Sequence, residues 1–404
     1  MKSYLSAEDA AKSLGVSLET LYAYVSRGRI HSEPVEPGSR LRRYRAEDVV
    51  ALKERRAYRR SPQLAAGRAL DWGWPVLESK LTLIDRGHLY YRGQDAIDLA
   101  KTKPFEAVAA FFLEVTPEQF GAAMPRVGAS IDRRPMAPRA VKRDTSTVAA
   151  LQELLPYLDR HDLAAPVSAP ELMPSRAGDI FYAALWLATG ECAMGGGSAA
   201  VQLVKAWCPG RRQAARILDA ALILCLDHEL NVSSFTARVV ASSGASVYQA
   251  VLAGLAAMQG WRHGGATLKV EALWDEIDRR GNVGVVLQEY RQHAGGLPGF
   301  GHPLYPAGDP RAHLLFELLA AAFPNHPRWL QTKALRSQGE ELTGEAPSVD
   351  FALVAVARCL ELPRHSALTL FTLGRIVGWV AHAAEQSRTG ALIRPRATYV
   401  GLRA

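Results

Sequence analysis

The chain has 404 residues, 48% hydrophobic and 22% charged, with a net charge of +8. That length leaves room for two or three domains and a large buried core. No apolar run reaches the roughly 20 residues that span a bilayer. The start, MKSYLSAEDAAKSLG, has no apolar stretch of the signal-peptide kind, so a cytoplasmic protein with no membrane partner is expected. Four cysteines (Cys192, Cys208, Cys225, Cys359) are scattered, and none of the eleven histidines sits three or four residues from another. Neither a zinc cage nor a helical two-His metal site is expected.

The charge is uneven. Residues 1–60 hold 13 Lys/Arg against 8 Asp/Glu, so five of the eight net charges fall at one end. This asymmetry suits a small nucleic-acid-binding module on a near-neutral body, with a solubilising basic face as the plainer alternative. Residues 4–15 read as a short helix, with Ser6 as N-cap and Ala10, Ala11 and Leu14 as its apolar stripe. After the turn at Gly15, Ser17 caps a second helix whose stripe is Leu18, Leu21, Tyr22 and Val25, ending at Gly28. Two extended stretches, 29–35 and 41–45, flank Pro37-Gly38-Ser39 as a wing-like hairpin, and 46–60 read as a basic helix. Two helices across a glycine turn form a helix-turn-helix pattern.

Residues 61–75 mix Pro, Gly and Trp and read as a linker. ESKLTLIDRGHLYYRG alternates apolar and polar residues around Asp85-Arg86-Gly87, predicting an antiparallel hairpin. Helical periodicity dominates the remainder, with surface loops expected over 130–145 and 161–178. Gly195-Gly196-Gly197 has no strand before it and reads as an inter-helix loop rather than a nucleotide site.

Three polar clusters follow. In LDHELNVSSFTARVVAS, Asp227, His228, Glu229 and Asn231 interrupt an otherwise apolar helix, where burial requires partners. Downstream, His263 precedes Gly264-Gly265, where amides lie at a helix start and neutral imidazole is favoured. In LPGFGHPLYPAGDPRA, glycines hold His302 on an irregular turn, and Asp309-Pro310-Arg311 starts a helix. A His and an Arg so placed could polarise a ketone and clamp its carboxylate. In PSVDF, Asp350 precedes a strongly apolar helix, where an N-cap is the plainer role. Arg375 in GRIVGW lies on an apolar face, and a buried Arg needs an anion.

Two family resemblances account for these patterns. AAKSLGVSLETLYAYVSRGRI with GSRLRRYRAEDVVAL resembles the winged helix-turn-helix domain of the MerR and excisionase families. That resemblance implies DNA as a partner of a module over 1–60, with a packing or dimerisation role as the alternative. Its implied contacts are Ser17, Thr20 and Tyr24 near the groove, with Arg27, Arg40, Arg42 and Arg43 meeting phosphates. From Val76 to Gly401 the chain resembles citrate synthases, through HELN, RHGGA, GFGH, DPRA, VDF, GRIVGW and RPRA in family order.

The second resemblance implies a mainly α citrate-synthase fold, with a large domain over 76–263 and 351–404 and a small one over 264–350. It implies an Si-type condensation of acetyl-CoA with oxaloacetate to citrate and CoA, a step of the tricarboxylic acid cycle. By resemblance Asp350 is the base, His263 binds the thioester oxygen and His302 polarises the ketone. His228, Arg311 and Arg375 would bind substrate, with Arg394 entering from the partner of a homodimer. No tightly bound cofactor is implied; acetyl-CoA is the co-substrate. Many bacterial relatives carry basic residues where Pro303 and Pro306 stand, so a different or weaker grip on CoA is expected at that loop. The HPL form of this loop also occurs in citryl-CoA-cleaving relatives. A 2-methylcitrate synthase, a citryl-CoA lyase and a metabolite-sensing DNA-binding regulator are therefore the alternatives.

Overall fold

The computed structural model describes residues 4–35, 39, 41–46, 48–50, 52–53, 77–121, 146–162, 171–190, 197–293, 296–397 and 399–402. Arg40, the Pro37-Gly38 tip, the 61–75 linker, the 130–145 loop and Gly195-Gly196 lie outside these residues. The chain divides into two compact units, Met1–Glu78 and Ser79–Ala404.

In the first unit, α1 (Ala7–Leu14) and α2 (Leu18–Ser26) begin where their serine caps fall: Ser6 accepts from the Asp9 amide and Ser17 from that of Thr20. β1 (Tyr4–Leu5), β2 (Ser32–Pro34) and β3 (Arg42–Arg45) form an antiparallel sheet in the order β1-β3-β2. Tyr4–Leu5 is thus a strand paired with Tyr44 and Arg45, not the first turn of the helix expected over 4–15. Ala10, Ala11, Leu14, Leu21, Ile30, Tyr44, Val49 and Leu52 close a core of their own.

The second unit opens with β4 (Thr82–Asp85) and β5 (His88–Tyr91), joined as the alternation predicts through Arg86 and Gly87, both at positive φ. That backbone is the two-residue turn whose twist matches paired strands. β6 (Gln94–Asp95) extends the sheet. The rest is helical among the described residues. α3 (Ala96–Thr102), α4 (Phe105–Leu113), α5 (Pro117–Gly121), α6 (Thr147–His161), α7 (Met173–Thr189) and α8 (Ala199–Trp207) come first. Then follow α9 (Ala214–Cys225), α10 (Val232–Ser242), α11 (Val247–Met258), α12 (Ala266–Arg280) and α13 (Val283–His293). α14 (Pro310–Ala322), α15 (Pro327–Thr343), α16 (Val349–Cys359) and α17 (Ser366–Thr389) complete it. Residues 173–178, expected in a loop, are the first turns of α7.

α17 is the axis of the body. Its 24 residues are long and apolar enough to cross a membrane, yet residues 366–384 are all buried in the core, as expected of a helix hydrophobic all round. Gly374 and Gly378 make its closest approach possible. A Cβ at Gly374 would meet the carbonyl oxygen of Leu222, and one at Gly378 that of Leu226. The spacing of four puts both glycines on one stripe, so the helix lies directly against the end of α9.

Candidate active site

The end of α9 is where the first polar cluster lies. Asp227, His228 and Glu229 do not interrupt a helix as expected; they form a short connection between α9 and α10, capped by Asn231. Glu229 takes the left-handed conformation there, at φ 51°. The hairpin clamps this connection from outside. The Thr82 hydroxyl donates to Asp227 Oδ2 at 2.6 Å, the Ile84 amide to Glu229 Oε1 at 3.0 Å, and the Tyr91 hydroxyl to the Ile223 carbonyl at 3.0 Å. From the other side, His382 of α17 lies 3.2 Å from both Asp227 oxygens, with both side chains fully buried. Burial pushes the Asp227 carboxyl up, but His382, Arg375 and Thr82 outweigh it and hold it below the usual range. His228 therefore stands on a braced loop.

The second and third clusters are laced together through backbone. Gly299 and Gly301 sit at φ +83° and +78°, and a Cβ at Gly299 would strike Val270 and Phe351. The turn they shape receives the Ser348 amide at Gly299 O (2.8 Å) and donates from the Gly301 amide to Ala346 O (2.9 Å). Asp309 caps α14 and binds Arg311 through Nε (2.9 Å) and Nη2 (2.8 Å), while accepting the Val349 amide at 3.0 Å. One carboxylate thus fixes both Arg311 and the start of α16. Asp350 is not the N-cap of α16; Ser348 holds that position and Asp350 lies in the first turn.

The electrostatics follow from this burial. Asp350 Oδ1 is buried without a hydrogen-bond partner, while the Ser348 hydroxyl reaches Oδ2 at 3.4 Å. Desolvation, partly offset by Arg311, raises its carboxyl to about 6. Burial depresses His263 to about 3, helped by Arg375, and His302 to about 4, helped by Arg311. His228 falls well below its ordinary value through burial and then the fields of Arg311, His302, Arg375 and His263. All three imidazoles are therefore neutral near pH 7.

The His302 tautomer can be argued from its partner. His302 Nδ1 accepts the Leu304 amide at 3.2 Å, so its proton is on Nε2. His263 Nε2 lies 2.7 Å from Ser233 Oγ, which accepts the Trp379 indole N–H at 3.0 Å. The serine hydroxyl donates to Asn231 Oδ1 at 2.8 Å, and that oxygen also accepts the Ser233 and Ser234 amides at 3.1 Å.

Arg375 is buried at 1% exposure. Its Nε donates to the Cys225 carbonyl at 2.9 Å, while Nη1 and Nη2 have no partner. Burial weakens its hold on the proton, with Asp227 opposing. Arg311 differs: burial works against its charge, but Asp309 outweighs it and raises the pKa. Arg394, by contrast, is exposed on the C-terminal segment and makes no ion pair or hydrogen bond among the described residues. Sequence reasoning missed Ser233, Tyr305, Thr82 and the Asp227–His382 pair as parts of this site. Ser233 stands within NVSSF and Tyr305 within HPLYP, so a polar residue on an apolar stretch was the available signal.

In the first unit, Ser17 and Thr20 share a cap, their hydroxyls 3.1 Å apart, and Tyr24 packs partly against the module core. Arg42 is bound to Ser32, and Arg43 pairs with Glu33 at 2.5 Å while lying over Tyr4. Arg27 is exposed at the C-terminal end of α2; Leu18 at its start and Tyr22 in its middle, expected in the apolar stripe, also face outward.

Histidines, a buried carboxylate and a buried guanidinium with two unpartnered nitrogens are thus brought together in this helical body. "Citrate synthase, C-terminal domain" matches residues 69–396, and the chain belongs to the citrate synthase family. A helix-turn-helix domain matches residues 4–57. Citrate synthase 2 of Bacillus subtilis is 35% identical over 188 residues, covering 45% of this chain and 50% of the relative. The chain spans about half the length of several curated relatives it matches. With the citrate synthase of Haloferax volcanii, identity is 29% over 371 residues, or 81% of this chain and 93% of that one. The crystal structure of citrate synthase from Thermotoga maritima superposes with a TM-score of 0.67 at 25% identity, covering 82% of this chain and 95% of that chain.

Proposed function

We propose that this protein condenses acetyl-CoA with oxaloacetate to give citrate and CoA, in the manner of an Si-type citrate synthase. The observation that carries this reading is the pairing of two unmatched buried groups. Asp350 offers a carboxylate oxygen without a partner, and Arg375 offers two guanidinium nitrogens without one. A buried base raised to about 6 suits removal of a proton from a weak carbon acid near neutral pH. A buried guanidinium with its fork free suits a carboxylate held by two parallel hydrogen bonds.

The chemistry follows from the raised carboxyl and the neutral imidazoles. Asp350 takes a proton from the thioester methyl while His263 hydrogen-bonds the thioester oxygen as it becomes an enolate oxygen. The enol carbon bonds to the oxaloacetate ketone carbon, whose oxygen accepts the proton of His302 Nε2. Water then cleaves the citryl thioester, releasing CoA and citrate. Asp309 already occupies two nitrogens of Arg311, leaving Nη1 for substrate, so Arg375 is the stronger clamp.

The division into a large domain over 76–263 and 351–404 and a small one over 264–350 belongs to the same proposal, with closure excluding water. So does a homodimer in which Arg394 completes the partner's site. Its support is the exposed C-terminal segment, where Tyr399, Val400 and Leu402 are 66%, 92% and 96% accessible. DNA is the proposed partner of the first unit, and the cytoplasm the proposed compartment.

The test is free-thiol release with oxaloacetate and either acetyl-CoA or propionyl-CoA, repeated with Asp350→Ala. Turnover with acetyl-CoA that Asp350→Ala abolishes supports the reading. Turnover untouched by the substitution, or none with either thioester, removes it. Preference for propionyl-CoA would make the enzyme a 2-methylcitrate synthase, with the same residues in the same roles.

A further inference from the structure

Tyr305 is a buried phenol for which the mechanism above has no use. It is 3% exposed, and its hydroxyl lies 2.9 Å from His228 Nε2. Its ring centroid is 5.1 Å from that of His302 and 5.5 Å from that of His228, and the two imidazoles are themselves 5.1 Å apart. The Arg311 guanidinium carbon lies 5.4 Å from the ring centre on the face. The Tyr305 amide donates to the His302 carbonyl at 2.9 Å, and the Tyr305 carbonyl accepts the Gly308 amide at 2.9 Å. Both sides of the residue are thus pinned by the turn that carries His302. His228 stands on the braced loop between α9 and α10, 77 residues earlier.

We propose that Tyr305 is a positioning residue: its hydroxyl donates to His228 Nε2, fixes the His228 proton on Nδ1, and so sets the affinity for the 2-oxo dicarboxylate. The direction of donation follows from acidity. A phenol is a better hydrogen-bond donor than a neutral imidazole N–H, and imidazole nitrogen is the better acceptor. Burial raises the phenol to about 12 and holds His228 neutral, so the proton stays on oxygen and the bond is Tyr O–H to His N. No described group engages His228 Nδ1. A neutral His228 with that nitrogen protonated offers an N–H to a substrate oxygen within the field of Arg311 and Arg375. With the other tautomer it would offer a lone pair, which a carboxylate or ketone oxygen repels. A second group choosing a histidine tautomer is a known device around imidazoles, usually performed by carboxylate or carbonyl. Here a phenol performs it, and the bond also ties the α9–α10 loop to the His302 turn.

The inference rests on oxaloacetate being the substrate only for its second half, and the test separates the two. Tyr305→Phe keeps the ring against His302 and Arg311 and removes only the hydroxyl. The full chain, 15N-labelled at histidine, is examined by NMR for the two nitrogens of His228, assigned by loss of signal in His228→Gln. Wild type should show a protonated Nδ1 and an unprotonated Nε2; Tyr305→Phe should show exchange between tautomers. Calorimetric affinity for oxaloacetate should fall by about tenfold, the size of one lost hydrogen bond, with CoA affinity and Tm little changed. An unchanged His228 pattern overturns the proposal. So does a parallel fall in CoA affinity and Tm, which marks a merely structural role. If wild type binds no oxaloacetate, the condensation reading fails, and the nitrogen pattern still decides whether Tyr305 sets the tautomer.

Discussion

Asp350 and Arg375 carry unfavourable burial in the ligand-free protein, and each should reveal it. The carboxyl of Asp350 rises from 3.8 to about 6 on folding. A raised folded pKa means that the folded state holds the proton more tightly than the unfolded chain, so this group favours folding below pH 4. That contribution is lost as pH rises through 6. Asp350→Asn should therefore match wild type in stability at pH 4 and exceed it above pH 7, by up to about 3 kcal/mol for a shift of roughly two units. Chemical denaturation at both pH values checks this; an advantage largest at acid pH would contradict the assignment. Activity should fall in wild type as pH drops below 6, because the base is then protonated. Arg375→Met should likewise raise the Tm of the ligand-free protein, since a buried unpaired charge gives way to an apolar chain. The same substitution should abolish the Tm increase that oxaloacetate gives wild type. A lowered Tm without ligand would show that the bond to Cys225 O matters more than the unmatched charge.

Among the elements, α17 and the β4–β5 hairpin set the site from opposite sides of one loop. Gly378→Ala would drive a methyl into the Leu226 carbonyl oxygen and to 2.9 Å from the Asp227 Oδ1 atom, so a loss of about 1–3 kcal/mol in urea unfolding is expected. Thr82→Val removes the donor to Asp227 and should cost about 1.5–3 kcal/mol, the range for a hydrogen bond to a charged group. If either variant unfolds like wild type, the loop is not braced as described. The hairpin itself was legible because strict alternation and an Arg-Gly turn are local signals. The three clusters were legible because polar residues stood out against apolar helices, and His302, Arg311 and Arg375 are where that contrast pointed. What tied the clusters together was not. Thr82 lies 145 residues from Asp227 and His382 lies 155 from it, and periodicity carries no information across such distances. The α9–α10 boundary was missed for a related reason: Leu226 to Asn231 is too short to break a helical pattern. Tyr4–Leu5 was missed because two residues cannot show alternation, so only pairing with β3 reveals the strand.

The whole molecule joins two units that each close a hydrophobic core. A chain starting at Ser79 should therefore fold and retain thiol release with KM and kcat within about twofold of the full chain, as expected of domains with separate cores. Loss of turnover in that truncation, with a native melting transition, would mean that the first unit takes part in catalysis. DNA binding by the full chain should be the complementary property: absent from the truncation and falling steeply with salt, because lysines and arginines displace counterions from phosphates. The structure ranks the arginines. Arg43 is already paired with Glu33 and Arg42 with Ser32, whereas Arg27 is exposed at the end of α2 with no ion pair among the described residues. An arginine that must give up an internal partner gains less from a phosphate. Arg27→Ala should thus weaken binding more than Arg43→Ala, and it should lower the slope of log affinity against log salt by about one. Equal effects of the two substitutions would show that the wing pairs open when DNA arrives. A full chain whose affinity matches that of the truncation would assign the basic end to solubility alone.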